Sequence, residues 1–485
     1  MHSLPIRRCS VARIALLAGL GCALAAAAAA VPTPAAATHE QLVIRLRALG
    51  TVASSFGPAY QPLYAAGLPW YEQWGGNPAH PVDDWMVPPE GYAGELADAL
   101  EHGRNFFADN PGALLPMCFE AKTAGGEILR ANYWIILPAG FAETGRRFPL
   151  IISLHGSGWL GHKISFVRQA RKAASAGRAI EVTPIDEGGP WRIDFLNAYL
   201  DRLLSTLPVD PDHVYVEGHS LGAMATWEWA VANPERFAAI SPRAGAGEPF
   251  RAVRLKHVPA WVIHGADDTI VPRGCSDQMV AALLDCGASV RYTVLAEGQH
   301  NMPDDLDEGR IVDWYLQQTR SHEAVPADPL DGLGLADTGY SPGQAITLPE
   351  QRCWKSEPVV LSDLEAVRQA MLSLFKRAHE LGLPADAPIM QRHDAAARTA
   401  SLWLAVPRTL RRDQGPDPAS VVLPAARYIR FFFRGPTAKA LAHVASLAPT
   451  VEASGQHMTD TVWVTPLTLR PDTPTSVAEY RVQLN

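Results

Sequence analysis

Apolar and polar positions change rhythm several times along the chain. From about residue 116, short and nearly continuous apolar runs stop at Pro or Gly: "ILRANYWIILP", "FPLIISLHG", "HVYVEG", "PAWVIHG" and "VRYTVLAEG". Runs of that length between chain breakers predict strands. Between them the apolar spacing lengthens to three and four in "FLNAYLDRLLSTL", "AMATWEWAVAN", "CSDQMVAALLDCG" and "EGRIVDWYLQQT", which predicts helices. In the first of these, Phe195, Leu196, Tyr199, Leu203 and Leu204 share one face, as in a helix laid on a sheet. Continuous apolar strands alternating with amphipathic helices predict an α/β fold: a mostly parallel sheet with helices on both faces, over residues 115–320.

The rhythm differs on either side. Residues 38–114, with "GLPWYEQWGGNPAHPVDDW", are rich in Pro, Gly and Trp and show little periodicity. They predict an N-terminal extension wrapping the later domain. Residues 321–350 lose the alternation and gain Pro, Gly and Asp, the composition of a linker. Beyond it a strand–helix–strand–strand pattern occurs twice. The first copy is "PVVLS", "LEAVRQAMLSLFKRAHELG", "APIMQRH" and "TASLWLAVP"; the second is "ARYIRFFFRG", "TAKALAHVASLAPTVEASG", "DTVWVTPL" and "VAEYRVQL". Residues 351–485 are therefore expected to form a smaller α+β domain of duplicated βαββ units.

Composition narrows the function classes. A chain of 485 residues exceeds one ordinary core, in agreement with several domains. The net charge is −8 and no dense Lys/Arg block follows residue 40, so nucleic acid is not an expected partner. Residues 1–37 have basic Arg7, Arg8 and Arg13, an apolar run from Ile14 to Leu24, and small residues ending at Ala37. That is a secretory signal layout, and the apolar core is short for a membrane span. The expected location is secreted or periplasmic, with no transmembrane span in the mature form. Arg7-Arg8 leaves a twin-arginine signal open, and Cys22 leaves lipid anchoring open, although Gly19 stands where that motif prefers leucine. Cys118, Cys275, Cys286 and Cys353 follow this segment without a CxxC spacing, which argues against a zinc knuckle. Cys275 and Cys286 have two readings: a disulfide across a short helix, or two buried thiols.

Candidate chemistry centres on Gly218-His219-Ser220-Leu221-Gly222, between the apolar "VYVE" and the helical "AMATWEWA". A serine hydroxyl attacks carbonyls only when a base removes its proton. A sharp strand-to-helix turn exposes its oxygen, and flanking glycines make room for the turn. The alternative is a small residue in a tight turn. The partners in this architecture follow in the order Ser, acid, His. Asp267 and Asp268 follow "PAWVIH", and His300 follows "VRYTVLAEG", each just past a strand end. Individually these residues also read as a turn cap and a structural histidine. Their order supports a triad of Ser220, Asp268 and His300. For the oxyanion, the backbone N–H groups of Leu221 and of Ser157 in "HGSG" are the candidate donors, with Gly158 as the substitute for Ser157. His155 and His264 precede glycines at strand ends and read as structural. No metal or cofactor is required.

With those residues in place, the stretch of about 115–320 resembles the α/β-hydrolase superfamily. It is most similar to secreted esterases and predicted peptidases, including feruloyl-esterase-like and polyhydroxybutyrate-depolymerase-like enzymes. The resemblance rests on "FPLIISLHGSG", "VDPDHVYVEGHSLGAMATWEWAVANPERFAAISPRAG", "VPAWVIHGADDTIVP" and "EGQHN". It implies serine-hydrolase activity on a small-molecule ester and assigns the acid to Asp268; Gly222-Ala223 departs from the two glycines common among relatives. A peptidase of the same fold shares these residues. "ARYIRFFFRGP", "TVWVTPL" and "AEYRVQL" resemble the gyrase-inhibitor-like effector-binding fold, which implies a small ligand in a C-terminal cleft. Arg434-Gly435-Pro436 and Glu479 carry that match. Trp403, Phe432, Trp463 and Glu479 are the candidate lining there, and Trp159, Leu160 and Trp191 are candidates near the serine. In both places packing is the alternative role. A non-catalytic binding protein on a hydrolase scaffold is the reading from another class.

Overall fold

The computed structural model of the chain describes residues 39–74, 92–123, 125–141, 145–157, 177–185, 191–301, 306–335, 339–381, 387–394, 398–406, 417, 419–469 and 475–485. The signal-like segment, Gly158, Trp159 and Leu160 lie outside them. No helix of the described residues is long and apolar enough to cross a membrane.

Eight strands form the first sheet: β1 (Leu114–Lys122), β2 (Ile128–Ile136), β3 (Phe148–Leu154), β4 (Ile180–Pro184), β5 (Val209–His219), β6 (Ala239–Arg243), β7 (Ala260–Gly265) and β8 (Val290–Leu295). Their order is β1-β2-β4-β3-β5-β6-β7-β8. β2 runs antiparallel to both neighbours, and the strands from β4 to β8 are mutually parallel. The strands β4 and β6 stand apart from the five apolar runs above. "IEVTP" and "AISPR" are five residues each, with Pro and polar positions, yet both lie inside the sheet.

Burial on both faces explains the unbroken apolar runs. Leu150, Ile152, Val214 and Val216 face one core, with helices α6 (Ile193–Thr206), α7 (Leu221–Ala232) and α8 (Gly274–Asp285). Ile151 and Tyr215, one residue out of phase, face a second core against α9 (Glu308–Tyr315). The N-terminal extension is more regular than its composition suggests. It contains α1 (His39–Ala48), α2 (Gly50–Ala53), α3 (Gln61–Trp74), α4 (Tyr92–Glu101) and α5 (Phe106–Asp109). Leu63, Tyr64, Leu96 and Phe107 from these helices join the first core.

The second sheet is antiparallel throughout. It contains β9 (Gln344–Leu348), β10 (Gln351–Lys355), β11 (Met390–Asp394), β12 (Thr399–Ala405), β13 (Val421–Leu423), β14 (Ala426–Arg434), β15 (Met458–Pro466) and β16 (Val477–Leu484), in the order β13-β10-β12-β11-β15-β16-β14-β9. With α10 (Leu364–Glu380) and α11 (Thr437–Glu452), the β10-α10-β11-β12 and β14-α11-β15-β16 units occupy mirrored strand positions and meet at β11–β15. One element differs from the sequence reading. "PVVLS" contributes only an isolated bridge between Val359 and Ala400, and "QRCWK" is the first strand of the repeat. The end of the linker-like segment supplies β9, which pairs with β14.

Cys275 and Cys286 are free thiols. They sit at opposite ends of α8, and 11 residues of helix separate their Cα atoms by about 16 Å. A disulfide tolerates no more than roughly 7 Å.

Candidate active site

β5 ends at His219, and α7 begins at Leu221. Ser220 makes the turn between them with φ 56° and ψ −118°. Few non-glycine residues adopt such a backbone, and it is held here by its surroundings. The Ser220 N–H donates to the Arg243 carbonyl at 2.9 Å, and its own carbonyl accepts from Met224 at 3.0 Å. The two glycines of the motif are steric requirements. A Cβ on Gly218 would overlap the Gly222 carbonyl, and one on Gly222 would overlap the Leu154 carbonyl at the end of β3.

The structure brings Ser220, His300 and Asp268 together. Ser220 Oγ lies 2.9 Å from His300 Nε2, and His300 Nδ1 lies 2.8 Å from Asp268 Oδ2. An ionised carboxylate only accepts, so Nδ1 carries the proton and the Nε2 lone pair faces the serine hydroxyl. Asp268 is buried, and its Oδ1 accepts the N–H groups of Ile270 at 2.8 Å and Val271 at 2.9 Å. Burial alone would push this carboxyl up. Hydrogen bonds from His264 and His300, the nearby His300 charge and the Val271 N–H outweigh it and hold Asp268 well below the usual carboxylate range. Asp267 is exposed, and its backbone N–H donates to Gly298 at 2.9 Å. The acid loop and the histidine loop also abut through glycines, since a Cβ on Gly265 would overlap the carbonyls of Gly298 and Gln299.

The two oxyanion candidates lie on segments that touch the elbow. Leu221 is the first residue of α7, and Ser157 is an exposed turn residue three positions beyond β3. A Cβ on Gly156 would lie 3.1 Å from both the His219 carbonyl and Ser220 Cβ. Trp191 is 1% exposed and donates to the His155 carbonyl at 3.1 Å, a packing role.

Several further residues support this grouping. His264, with no exposed surface, places Nε2 2.9 Å from the Val271 carbonyl and 3.2 Å from Asp268 Oδ2, while Ser276 Oγ lies 2.6 Å from its Nδ1. His219 donates through Nε2 to the His300 carbonyl at 2.6 Å. Beneath the elbow, Arg243 donates to Glu217 at 2.9 Å and to Glu308 at 2.5 and 2.9 Å. Tyr315 and Ser153 both donate to Glu217 at 3.1 Å, tying β3, β5, β6 and α9 together. The spacing of "VIHGADD", with His264 four residues before Asp268, was the only sequence signal for any of these.

Burial also has a consequence for acid stability. It pushes the His219 imidazole down to about 4, only partly offset by the bond to the His300 carbonyl. The unfolded chain takes up this proton near the ordinary value of about 6.5, so between those pH values the unfolded state binds more protons. Stability is therefore present above about pH 6.5 and falls toward pH 4, by up to about 3 kcal/mol. The low Asp268 value acts in the same direction at lower pH. Urea unfolding is expected to show midpoints that drop across this window, with a shallower slope in His219→Gln. A midpoint constant from pH 7 to 4.5 would contradict the assignment.

In the C-terminal sheet, Trp403 and Trp463 are 6% and 2% exposed and meet edge-to-face at 5.1 Å. Phe432 pairs across strands with Glu479, which lies 3.7 Å from Arg481. The two tryptophans are packed residues.

A sheet of this order, with a strained serine between β5 and α7 and Asp268 and His300 beyond β7 and β8, is the arrangement of the α/β-hydrolase fold. No protein-family model matches the chain. Over 174 residues, 32% of this chain, it is 29% identical to NocK of Nocardia uniformis subsp. tsuyamanensis, a protein named as a candidate esterase. The chain spans about half of that relative, 51% of its length. Among solved structures, a thermostable esterase aligns at 24% identity over 44% of this chain and 64% of its own, with a TM-score of 0.37. The acylaminoacyl peptidase of Pyrococcus horikoshii aligns at 16% identity over 46% of this chain and 44% of its own, with a TM-score of 0.35. A ferulic acid esterase aligns at 16% identity over 42% and 96%, with a TM-score of 0.34.

Proposed function

We propose that the protein is an exported serine hydrolase that cleaves carboxylic esters of small molecules through an acyl-enzyme. The observation that carries this reading is the continuous hydrogen-bonded chain from Ser220 Oγ through His300 to buried Asp268. Ser220 Oγ attacks the ester carbonyl while His300 Nε2 takes its proton. Asp268 holds the ring and stabilises the imidazolium. The Leu221 and Ser157 N–H groups donate to the oxyanion. Its collapse expels the alcohol, protonated by His300, and leaves an ester at Ser220. Water then attacks with His300 again as base, releasing the acid and restoring the serine. The signal layout of residues 1–37 supports export.

The test pairs 4-nitrophenyl acetate with aminoacyl 4-nitroanilides and a fluorophosphonate probe. Ester turnover and a single phosphonyl adduct on Ser220, located by peptide mass spectrometry, are the expected results. Faster anilide cleavage would reassign the protein as a peptidase. Absence of the adduct in folded protein would remove the serine mechanism.

A further inference from the structure

We propose that the C-terminal region is a working part of the hydrolase site: its helix α10 holds the catalytic acid loop, with Phe375 and Arg368 as positioning residues for Asp268. This rests on the triad reading above.

The loop from Asp268 to Gly274 leaves β7 and leads into α8. Its apolar side is covered by α10 and the strands beneath it. Val271 and Cys275 share a buried cluster with Trp354, Leu374, Phe375 and Leu402, and Met224 from the first turn of α7 packs against it. Phe375 is 2% exposed, and its ring fills the space beside Gly274 so closely that a Cβ there would overlap it. Arg368, two turns earlier on the same side of the helix, donates to the carbonyl of Thr269, the residue after the acid, and Glu365 braces its guanidinium at 2.9 Å. Two further contacts fix α10 and the segment after it to α8. His379 Nε2 lies 2.9 Å from Asp277 Oδ2, and Gln278 donates to the Ala387 carbonyl at 2.6 Å.

Val271 converts this packing into chemistry. Its N–H donates to Asp268 Oδ1, its carbonyl faces His264 Nε2, and its side chain is held in the α10 cluster. Releasing that side chain loosens both backbone contacts that aim the carboxylate at His300. Displacements of about 1 Å remote from the reacting atoms cost catalysis on the order of 100-fold.

The test uses the full chain with Arg368→Ala, Phe375→Ala, Gly274→Ala and the pair Gly274→Ala/Phe375→Leu. Three quantities are read: thermal midpoint, 4-nitrophenyl acetate kinetics, and the downfield proton resonance of His300 Nδ1–H. Arg368 is a surface residue, so its variant keeps the test independent of core packing. Expected are falls in kcat of about 10- to 100-fold with KM within about twofold, and a shifted or broadened Nδ1–H signal. The Gly274→Ala defect is expected to be relieved in the pair. Variants that lose only thermal stability, with kcat and the resonance unchanged, would overturn the proposal. If the wild type turns over no ester, the resonance still decides: its change in Arg368→Ala supports the positioning role, and its persistence in both Arg368→Ala and Phe375→Ala overturns it.

Discussion

Ser220→Ala is expected to lower ester turnover by about five orders of magnitude and to abolish the fluorophosphonate adduct, with the fold intact. Alanine keeps the backbone contacts to Arg243 and Met224 and removes only Oγ and its bond to His300. The loss is large because nucleophile and base act as one unit, and the remaining oxyanion donors cannot supply the missing covalent step. The backbone at this turn adds a second readout. With φ at 56°, serine and alanine are both strained, whereas glycine is not. Ser220→Gly should therefore be as inactive as Ser220→Ala and melt at a higher temperature. Residual turnover above about 1% of wild type in either variant would place the chemistry elsewhere.

Asp268→Asn is expected to cost about 10⁴-fold in kcat. The amide would still accept from Ile270 and Val271 through its oxygen, which leaves its NH₂ facing His300 Nδ1 and His264 Nε2. Two donors then oppose each other, and His300 relieves the conflict by moving its proton to Nε2. In that tautomer the ring cannot accept the serine proton. The same change in Asp267 alters an exposed side chain outside the triad, so Asp267→Asn should remain within about twofold, as exposed substitutions usually do. Equal losses in both variants would point to disruption of the whole loop. A loss confined to Asp267→Asn would reverse the assignment.

The elements easiest to read from the sequence were those whose local pattern matches their surroundings. The fully buried strands β3, β5 and β7 are continuous apolar runs, and α6 has a clean apolar face. β6 escaped because a central strand can be as short as Ala239–Arg243 and contain Pro242, provided neighbours on both sides bury it. The grouping of Ser220, Asp268 and His300 was readable through the order of these residues along the chain. Its support was not, since Glu217, Arg243 and Glu308 are far apart in sequence and meet only after the sheet and α9 have packed. The packing of α10 on the loop after β7 is equally non-local: Val271 and Phe375 look like ordinary core residues until the cluster that they share has formed. In the first repeat, apolar content misled at "PVVLS", whereas the polar "QRCWK" gained strand structure from hydrogen bonds to β12 and β13.

β16 enters its sheet between β15 and β14, pairing along most of its length with both. A ribosome delivers these three strands in the order β14, β15, β16, so the first two cannot pair directly and must wait with open edges for residues 477–484. Unpaired edges of that kind are the usual starting points of misassembly. The flanking strands β9 and β13 cover the outer strands β14 and β10, which leaves the gap awaiting β16 as the exposed seam during synthesis. Production of the protein should therefore be most vulnerable between the synthesis of β14 and that of β16, and a chaperone that shields strand edges would raise its yield more than one that accelerates helix formation.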